Sequence, residues 1–166
     1  MILDVHPDRC TGCMLCELYC SLSHEGQSIP ELSRVQIIAE RNRKKLVPVM
    51  CVPCEENPCL AACPELGAIH KTSAGAVVIE EGLCTACGKC VHACKIGAIR
   101  IHRLAGRGKN AKAVALKCDQ CQGDPWCVKA CPVDAILQVE GQIGDQAIFN
   151  RILSARQELE QQERVH

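Results

Sequence analysis

Sixteen of the 166 residues are cysteines, and every one of them falls in one of four short runs. Cys10, Cys13, Cys16 and Cys20 have the spacing C-x2-C-x2-C-x3-C, and Cys84, Cys87, Cys90 and Cys94 repeat it. Cys51, Cys54, Cys59 and Cys63 read C-x2-C-x4-C-x3-C, while Cys118, Cys121, Cys127 and Cys131 read C-x2-C-x5-C-x3-C. Three closely spaced thiolates on a tight loop can hold three irons of a cubane, and a fourth on the following helical turn points toward a different cluster. The predicted chemistry is one-electron redox at four [4Fe–4S] clusters, with the runs working in pairs. Two other uses of cysteine fit less well. A disulfide framework needs an oxidising compartment and gives no reason for one three-ligand spacing to recur. Zinc takes four ligands in a closed tetrahedron, usually from two separated C-x2-C pairs, whereas each run here adds a third and a fourth cysteine.

The remaining composition narrows the class. With one Phe, one Tyr and one Trp, aromatic side chains supply little core,. The length suits one ordinary domain or two very small ones fused together. The stretch from Met1 to Pro7 has no basic segment followed by an apolar one, and no apolar run approaches the roughly 20 residues that cross a bilayer. The expectation is a cytoplasmic chain without membrane insertion, in a reducing compartment that keeps thiols free. Nineteen basic and nineteen acidic residues cancel, which removes the electrostatic argument for nucleic acid,. There is no G-x-G-x-x-G, no phosphate-binding loop and no nucleophile elbow. No catalytic residue is expected, and the chain reads as a non-catalytic electron carrier.

The elements that must position the cysteines show as a duplication. Asp8 to Cys13 resembles Gly82 to Cys87, and Cys59 to Pro64 resembles Cys127 to Pro132. After a fourth cysteine one phrase returns three times: Pro64 to Ile69, Lys95 to Ile99 and Pro132 to Ile136. Its small residue followed by a β-branched one predicts a turn and then a short strand covering the clusters. A hairpin is predicted over Ala68 to Ile79, turning at Ser73 to Gly75. From these residues two pairings stay open. The segment from Cys51 to Ile99 reads like a complete two-cluster ferredoxin, which would leave the first and fourth runs to each other. The duplication by itself favours first with second and third with fourth.

Several other residues carry weaker signals. Lys95 stands where the other phrases have proline; it either raises the potential of a nearby cluster or points to solvent. Two basic stretches, Arg41 to Lys45 and the run of Arg100, Arg103, Arg107, Lys109 and Lys112 loosened by Gly106 and Gly108, read as solvated hairpin loops or as docking sites for acidic partners. The histidines show no ligand spacing, and His92, inside the third run, is expected at the surface or behind the ligands. Ala147, Ile148, Ile152, Ala155 and Leu159 fall close to i, i+4, i+8 spacing, which describes an amphipathic helix capped by Asp145. About 20 residues make a rod of roughly 30 Å. It either folds back over the clusters or, the preferred reading, reaches a neighbouring subunit or a second copy through residues 145–166.

The four runs, over roughly residues 4 to 140, resemble the four-cluster iron–sulfur subunits of the dimethyl sulfoxide reductase family. Such subunits accompany molybdopterin oxidoreductases, carbon-monoxide-linked hydrogenases and tungsten aldehyde oxidoreductases. The resemblance implies the nested pairing and clusters arranged in a chain. The ligand sets are then Cys51, Cys54, Cys59 with Cys94; Cys84, Cys87, Cys90 with Cys63; Cys10, Cys13, Cys16 with Cys131; and Cys118, Cys121, Cys127 with Cys20. The five residues before Cys127 depart from the longer spacings of some members. The fold implied is α+β: two ferredoxin-like 2[4Fe–4S] units with small β-hairpins and short helices, plus the C-terminal amphipathic helix. Residues 1–50 and 112–140 would form an outer unit, and residues 51–111 an inner one. The chain looks most like the polyferredoxin subunit of a tungsten aldehyde oxidoreductase, which implies a catalytic oxidoreductase subunit and a flavin subunit as partners, with stacking into a longer chain. The alternative is an electron carrier of a carbon monoxide dehydrogenase, hydrogenase or formate dehydrogenase, or a free polyferredoxin.

Overall fold

The computed structural model describes residues 2–40, 45–52, 54–103, 113–141 and 146–164. In chain order the elements are β1 (Ile2–Val5), α1 (Leu15–Glu25), β2 (Gln36–Ala39), β3 (Leu46–Val49), α2 (Pro58–Ala61), β4 (Ile69–Lys71), β5 (Val77–Ile79), α3 (Lys89–Ala93), β6 (Ile99–Arg103), β7 (Ala113–Lys117), α4 (Trp126–Ala130), β8 (Ile136–Val139) and α5 (Gln146–Arg164). The strands form antiparallel pairs: β1 with β8, β2 with β3, β4 with β5 and β6 with β7. This is the α+β architecture of small hairpins, short helices and a C-terminal helix that the sequence predicts. The predicted hairpin after Ala68 is β4–β5, with Ile69 opposite Ile79.

An isolated two-stranded sheet is marginal in water, so each pair must be held by what it packs on. Two apolar clusters do this. The larger joins Ile2, Leu3 and Val5 of β1, Val47 and Val49 of β3, Ile136 of β8 and the buried face of α5 to Cys16, Cys20, Cys118 and Cys127. The smaller joins Ile69, Val77, Ile99 and Ala115 to Cys59, Cys84 and Cys90. In both, the cysteines lie inside the core, where larger side chains would otherwise be. The β1–β8 ladder, with Val5 opposite Ile136, brings the start of the chain to the strand after the fourth run. Helix α1 packs on α4 and α2 on α3. Tyr19 of α1 stacks on Trp126 of α4, with ring centroids 6.3 Å apart. β7 pairs with β6, and its Ala115 packs in the smaller cluster, so this strand ties the fourth run to the second and third.

The recurring phrase folds the same way each time. Gly67, Gly97 and Asp134 all take positive φ (79°, 66° and 52°), and β4, β6 and β8 begin two residues later. At Gly97 a β-carbon would lie on the Arg156 guanidinium, whose Nη1 donates to the Ile96 carbonyl at 2.6 Å. Gly97→Ala is therefore expected to destabilise the protein by about 2 kcal/mol, from the left-handed backbone and the displaced charged hydrogen bond together. Faster bleaching of the native protein in guanidinium, relative to wild type, is the measurement; an unchanged rate would show that the turn tolerates a side chain.

Helix α5 folds back on the chain, the less favoured of the two readings of its stripe. Ile148, Ile152, Ala155 and Leu159 are all buried against the chain's own core, Ile152 at 0% exposure, while Ala147 at the edge of the stripe is exposed. Polar contacts lock it there: Arg151 Nη1 donates to Asp4 at 2.5 Å and to the Val5 carbonyl at 3.1 Å, and Lys45 pairs with Glu158. The small core lacks aromatic mass, so it uses the helix as cover. The proposed cap, Asp145, lies outside the described residues, as do Arg41 to Lys44, Gly106, Arg107, Gly108, Lys109 and Lys112.

Candidate metal centres

Each cysteine run contains left-handed backbone, in the same register in the first and third. Gly12 and Met14 in the first run have φ of 69° and 60°, and Ala86 and Gly88 in the third have 53° and 80°. Asn57 precedes α2 at 44°, and Gln120, Cys121 and Gln122 follow Cys118 with values of 46° to 62°. Five of these are neither Gly nor Asn, which costs energy and persists only where the surroundings demand it. What the strain achieves is visible in the donors: such turns aim consecutive N–H groups at one side. Ala86 N–H donates to Cys84 Sγ and Gln120 N–H to Cys118 Sγ, both at 3.4 Å. At the other end of two runs, Ala98 N–H donates to Cys94 Sγ and Ala135 N–H to Cys131 Sγ, both at 3.3 Å.

All sixteen cysteines are free thiols, and they gather in four sets that cross the runs. Cys51, Cys54 and Cys59 line one cavity with Cys94. Cys84, Cys87 and Cys90 line another with Cys63. Cys10 neighbours Cys13, Cys16 and Cys131. Cys127 neighbours Cys118, Cys121 and Cys20. The helix packing explains the crossing: a fourth cysteine, within α1 or just past the end of α2, α3 or α4, faces the loop that leads into the helix beside it. Adjoining sets lie near enough to feel one another's charge, Cys16 that of Cys127 and Cys118 that of Cys51.

Four thiols this close do not suit one another as free groups. Burial, with the repulsion of neighbouring thiolates, pushes Cys127 up to about 12 and Cys59 to about 11, and raises Cys16, Cys51 and Cys118 as well. Thiolates held together in a dry site need cationic metal to neutralise them, and metal binding supplies the free energy that expels their protons. The donor set, all sulfur with inward N–H groups, fits iron–sulfur clusters. Hard cations such as Mg²⁺ or Ca²⁺ would require oxygen ligands.

Cys20 differs from the other buried thiols. Burial pushes its pKa up, but hydrogen bonds from His24, the Arg34 N–H at 3.2 Å and Ser33 more than offset this and lower it. His24 itself accepts or donates between Cys20 and Asp119 Oδ1, the latter at 3.1 Å, and is pushed up to about 11 by that carboxylate first and by Cys20 second. Nothing in the spacing singles out His24, and its partner lies 95 positions away, where no local pattern could reveal it. His92 is exposed. Lys95 lies at a cavity rim with its Nζ 3.1 Å from Glu56, both groups largely in solvent, so its charge is directed outward. Arg100, read as part of a solvated loop, is instead half-buried and donates from one nitrogen to the carbonyls of Pro30, Glu31 and Ser33 at 2.6 to 3.0 Å. Lys117, not singled out by the sequence, lies beside Cys51.

Among known families, the 4Fe-4S dicluster domain matches residues 83–135, which hold the third and fourth runs. The polyferredoxin-like subunit of an aliphatic sulfonate oxidoreductase from Pyrococcus furiosus is 42% identical over 127 residues, covering 76% of this chain and 69% of that protein. Formate hydrogenlyase subunit 2 of Escherichia coli K12 is 31% identical over 161 residues, 79% of this chain and 77% of that protein. The electron transport protein HydN of the same organism is 35% identical over 150 residues, 80% and 83% of the two chains. Identity of this order across most of the length, on a fold that gathers its cysteines in fours, places the chain in the family of polyferredoxin-like iron–sulfur subunits that carry electrons in oxidoreductase complexes.

Proposed function

We propose that the chain holds four [4Fe–4S] clusters and relays electrons between a catalytic oxidoreductase subunit and a flavin subunit or other acceptor, without performing bond chemistry itself. The observation that carries this reading is the crossing of the cysteine sets: every fourth cysteine meets three from another run, so all sixteen are used in complete sets of four. The ligand sets are those named from the resemblance, and residues 1–50 with 112–140 and residues 51–111 are the two units. When bound, the clusters supply reversible one-electron redox. The chain's own residues fix the rest. The link from Cys16 to Cys127, then Cys118 to Cys51, then the α2–α3 packing that joins Cys59 and Cys94 to Cys63 and Cys90, orders the sets in a line. The short apolar strands exclude water, and the N–H donors at Cys84, Cys94, Cys118 and Cys131 offset sulfur charge,.

The partner we favour is a tungsten-type oxidoreductase of aldehydes or a similar small oxidised substrate, a reading supported by the relative from an aliphatic sulfonate oxidoreductase. The second reading, an electron carrier of a formate- or hydrogen-linked enzyme, is favoured by the formate hydrogenlyase relative. No helix among the described residues is long and apolar enough to cross a membrane, and the proposed compartment is the reducing cytoplasm. Assaying the native, anaerobically isolated complex for tungsten, nickel and flavin separates the two partners. For the chain itself, iron and sulfide analysis should give about 16 of each per polypeptide. A yield near half in anaerobic preparations would sink the four-cluster reading.

A further inference from the structure

Lys117 ends β7 and is 7% exposed, one of the few charged side chains in the interior. Its Nζ donates to the Val77 carbonyl of β5 and, at 3.1 Å, to the Cys118 carbonyl. Among the described residues no carboxylate pairs with it. A buried ammonium with only carbonyl partners is costly, because carbonyls satisfy its hydrogens without cancelling its charge. The compensating charges must come from elsewhere, and the acidic groups around it are thiols. Lys117 lines the cavity of Cys51, Cys54, Cys59 and Cys94 and directly precedes Cys118 of the adjoining set. Lys95 makes the contrast: its charge is at the surface and already paired with Glu56.

We propose that Lys117 is an internal counter-ion shared by the two middle centres of the relay, those of Cys51 and of Cys118, and that its charge draws electrons to them. The inference rests on the four-cluster reading. Reduction adds one negative charge to a centre, and a fixed cation in a dry site stabilises the reduced form more than the oxidised one. The centre of Cys51, whose cavity Lys117 lines, gains more than that of Cys118. Among the described residues Lys117 is neither in the lining of the Cys84 cavity nor among the groups that act on Cys10, so the two outer centres gain little. The relay then has a favourable middle, which stores an electron between arrival at one end and departure from the other.

The test is a redox titration of the intact protein followed by electron paramagnetic resonance, in wild type, K117M, K117Q and K117R. C94S and C20S identify which signals belong to the two middle centres. In K117M and K117Q the ratio of reduced to oxidised Cys51 centre at a fixed potential should fall about tenfold, a shift of about 59 mV for a one-electron couple. The Cys118 centre should shift less in the same direction, and the outer two should stay. K117R, which keeps the charge, should stay near wild type. K117Q keeps a hydrogen-bond donor, so a structural role alone would leave its potentials unchanged. Fully loaded neutral variants with all four potentials as in wild type overturn the proposal. Iron loss confined to the neutral variants, with K117R fully loaded, supports it, because the charge is then needed to retain the centres. Iron loss in all three variants overturns it in favour of packing. A wild-type protein well short of about 16 irons fails the four-cluster reading instead.

Discussion

Cys20→Ser is expected to abolish or alter the same centre as Cys121→Ser, and to leave intact the centre that Cys13→Ser destroys. Cys13 and Cys20 belong to one run, only seven positions apart, whereas Cys20 and Cys121 are separated by most of the chain. The structure places Cys20 against Cys121 and Cys127 because α1, which carries it, packs on α4. The loss of a thiolate ligand removes about a quarter of the bound iron if the centre is lost outright, and in either case removes one electron paramagnetic resonance signal. The decisive measurement is the pair of double variants. Cys20→Ser with Cys121→Ser should cost no more centres than either substitution alone, since residues acting as one unit are not additive. Cys20→Ser with Cys13→Ser should cost two. If Cys20 and Cys13 share a centre, or if Cys20 shares one with Cys51, the crossed assignment is wrong.

That experiment addresses the part of the site which the cysteine spacing left open. Four runs are visible in one dimension because ligand spacing is local: the loop that holds three thiolates is built within seven to ten residues. The turn-then-strand phrase is local too, and Ile69, Ile99 and Ile136 begin strands as their β-branched character predicts,. Pairing of the runs is not local. It depends on β1 finding β8 across 130 residues and on α1 finding α4, and two-stranded pairs of equal length and similar composition do not encode their partners in their own residues. The buried charges were invisible for the same reason. Lys117 reads as the polar end of a strand, Arg100 as a member of a basic loop, and His24 as a lone histidine on a helix. Only the packing around each shows that it is enclosed and what it meets. An amphipathic stripe is a further case. Its spacing says that one face must be covered, but not by what, and α5 covers its own chain,.

The position of α5 makes Ile152→Ala the most damaging single change expected outside the cysteines. Ile152 is fully buried in the larger apolar cluster, alongside Ile2, Val5, Val47 and Val49 and the cysteines of the first and fourth runs. Truncating an isoleucine in such a site costs about 2–5 kcal/mol, because the cavity left behind collapses only partly. The helix that carries it packs on β1 and β3, and β1 with β8 joins the two ends of the fold. Loss of bound clusters on unfolding makes the transition irreversible, so the quantity to measure is a rate. In guanidinium under anaerobic conditions the visible absorbance of the clusters should decay at least about 30-fold faster in Ile152→Ala than in wild type, the equivalent of about 2 kcal/mol. Gln157→Ala, on the exposed face of the same helix, should change the rate little,. Deletion of residues 146–164 should prevent accumulation of iron-loaded protein altogether, since it strips four buried side chains and the Arg151 and Arg156 contacts together. A deletion variant that retained its iron and bleached at the wild-type rate would show that the helix is dispensable cover. Its purpose would then have to lie in binding another subunit, the role that its burial against this core argues against.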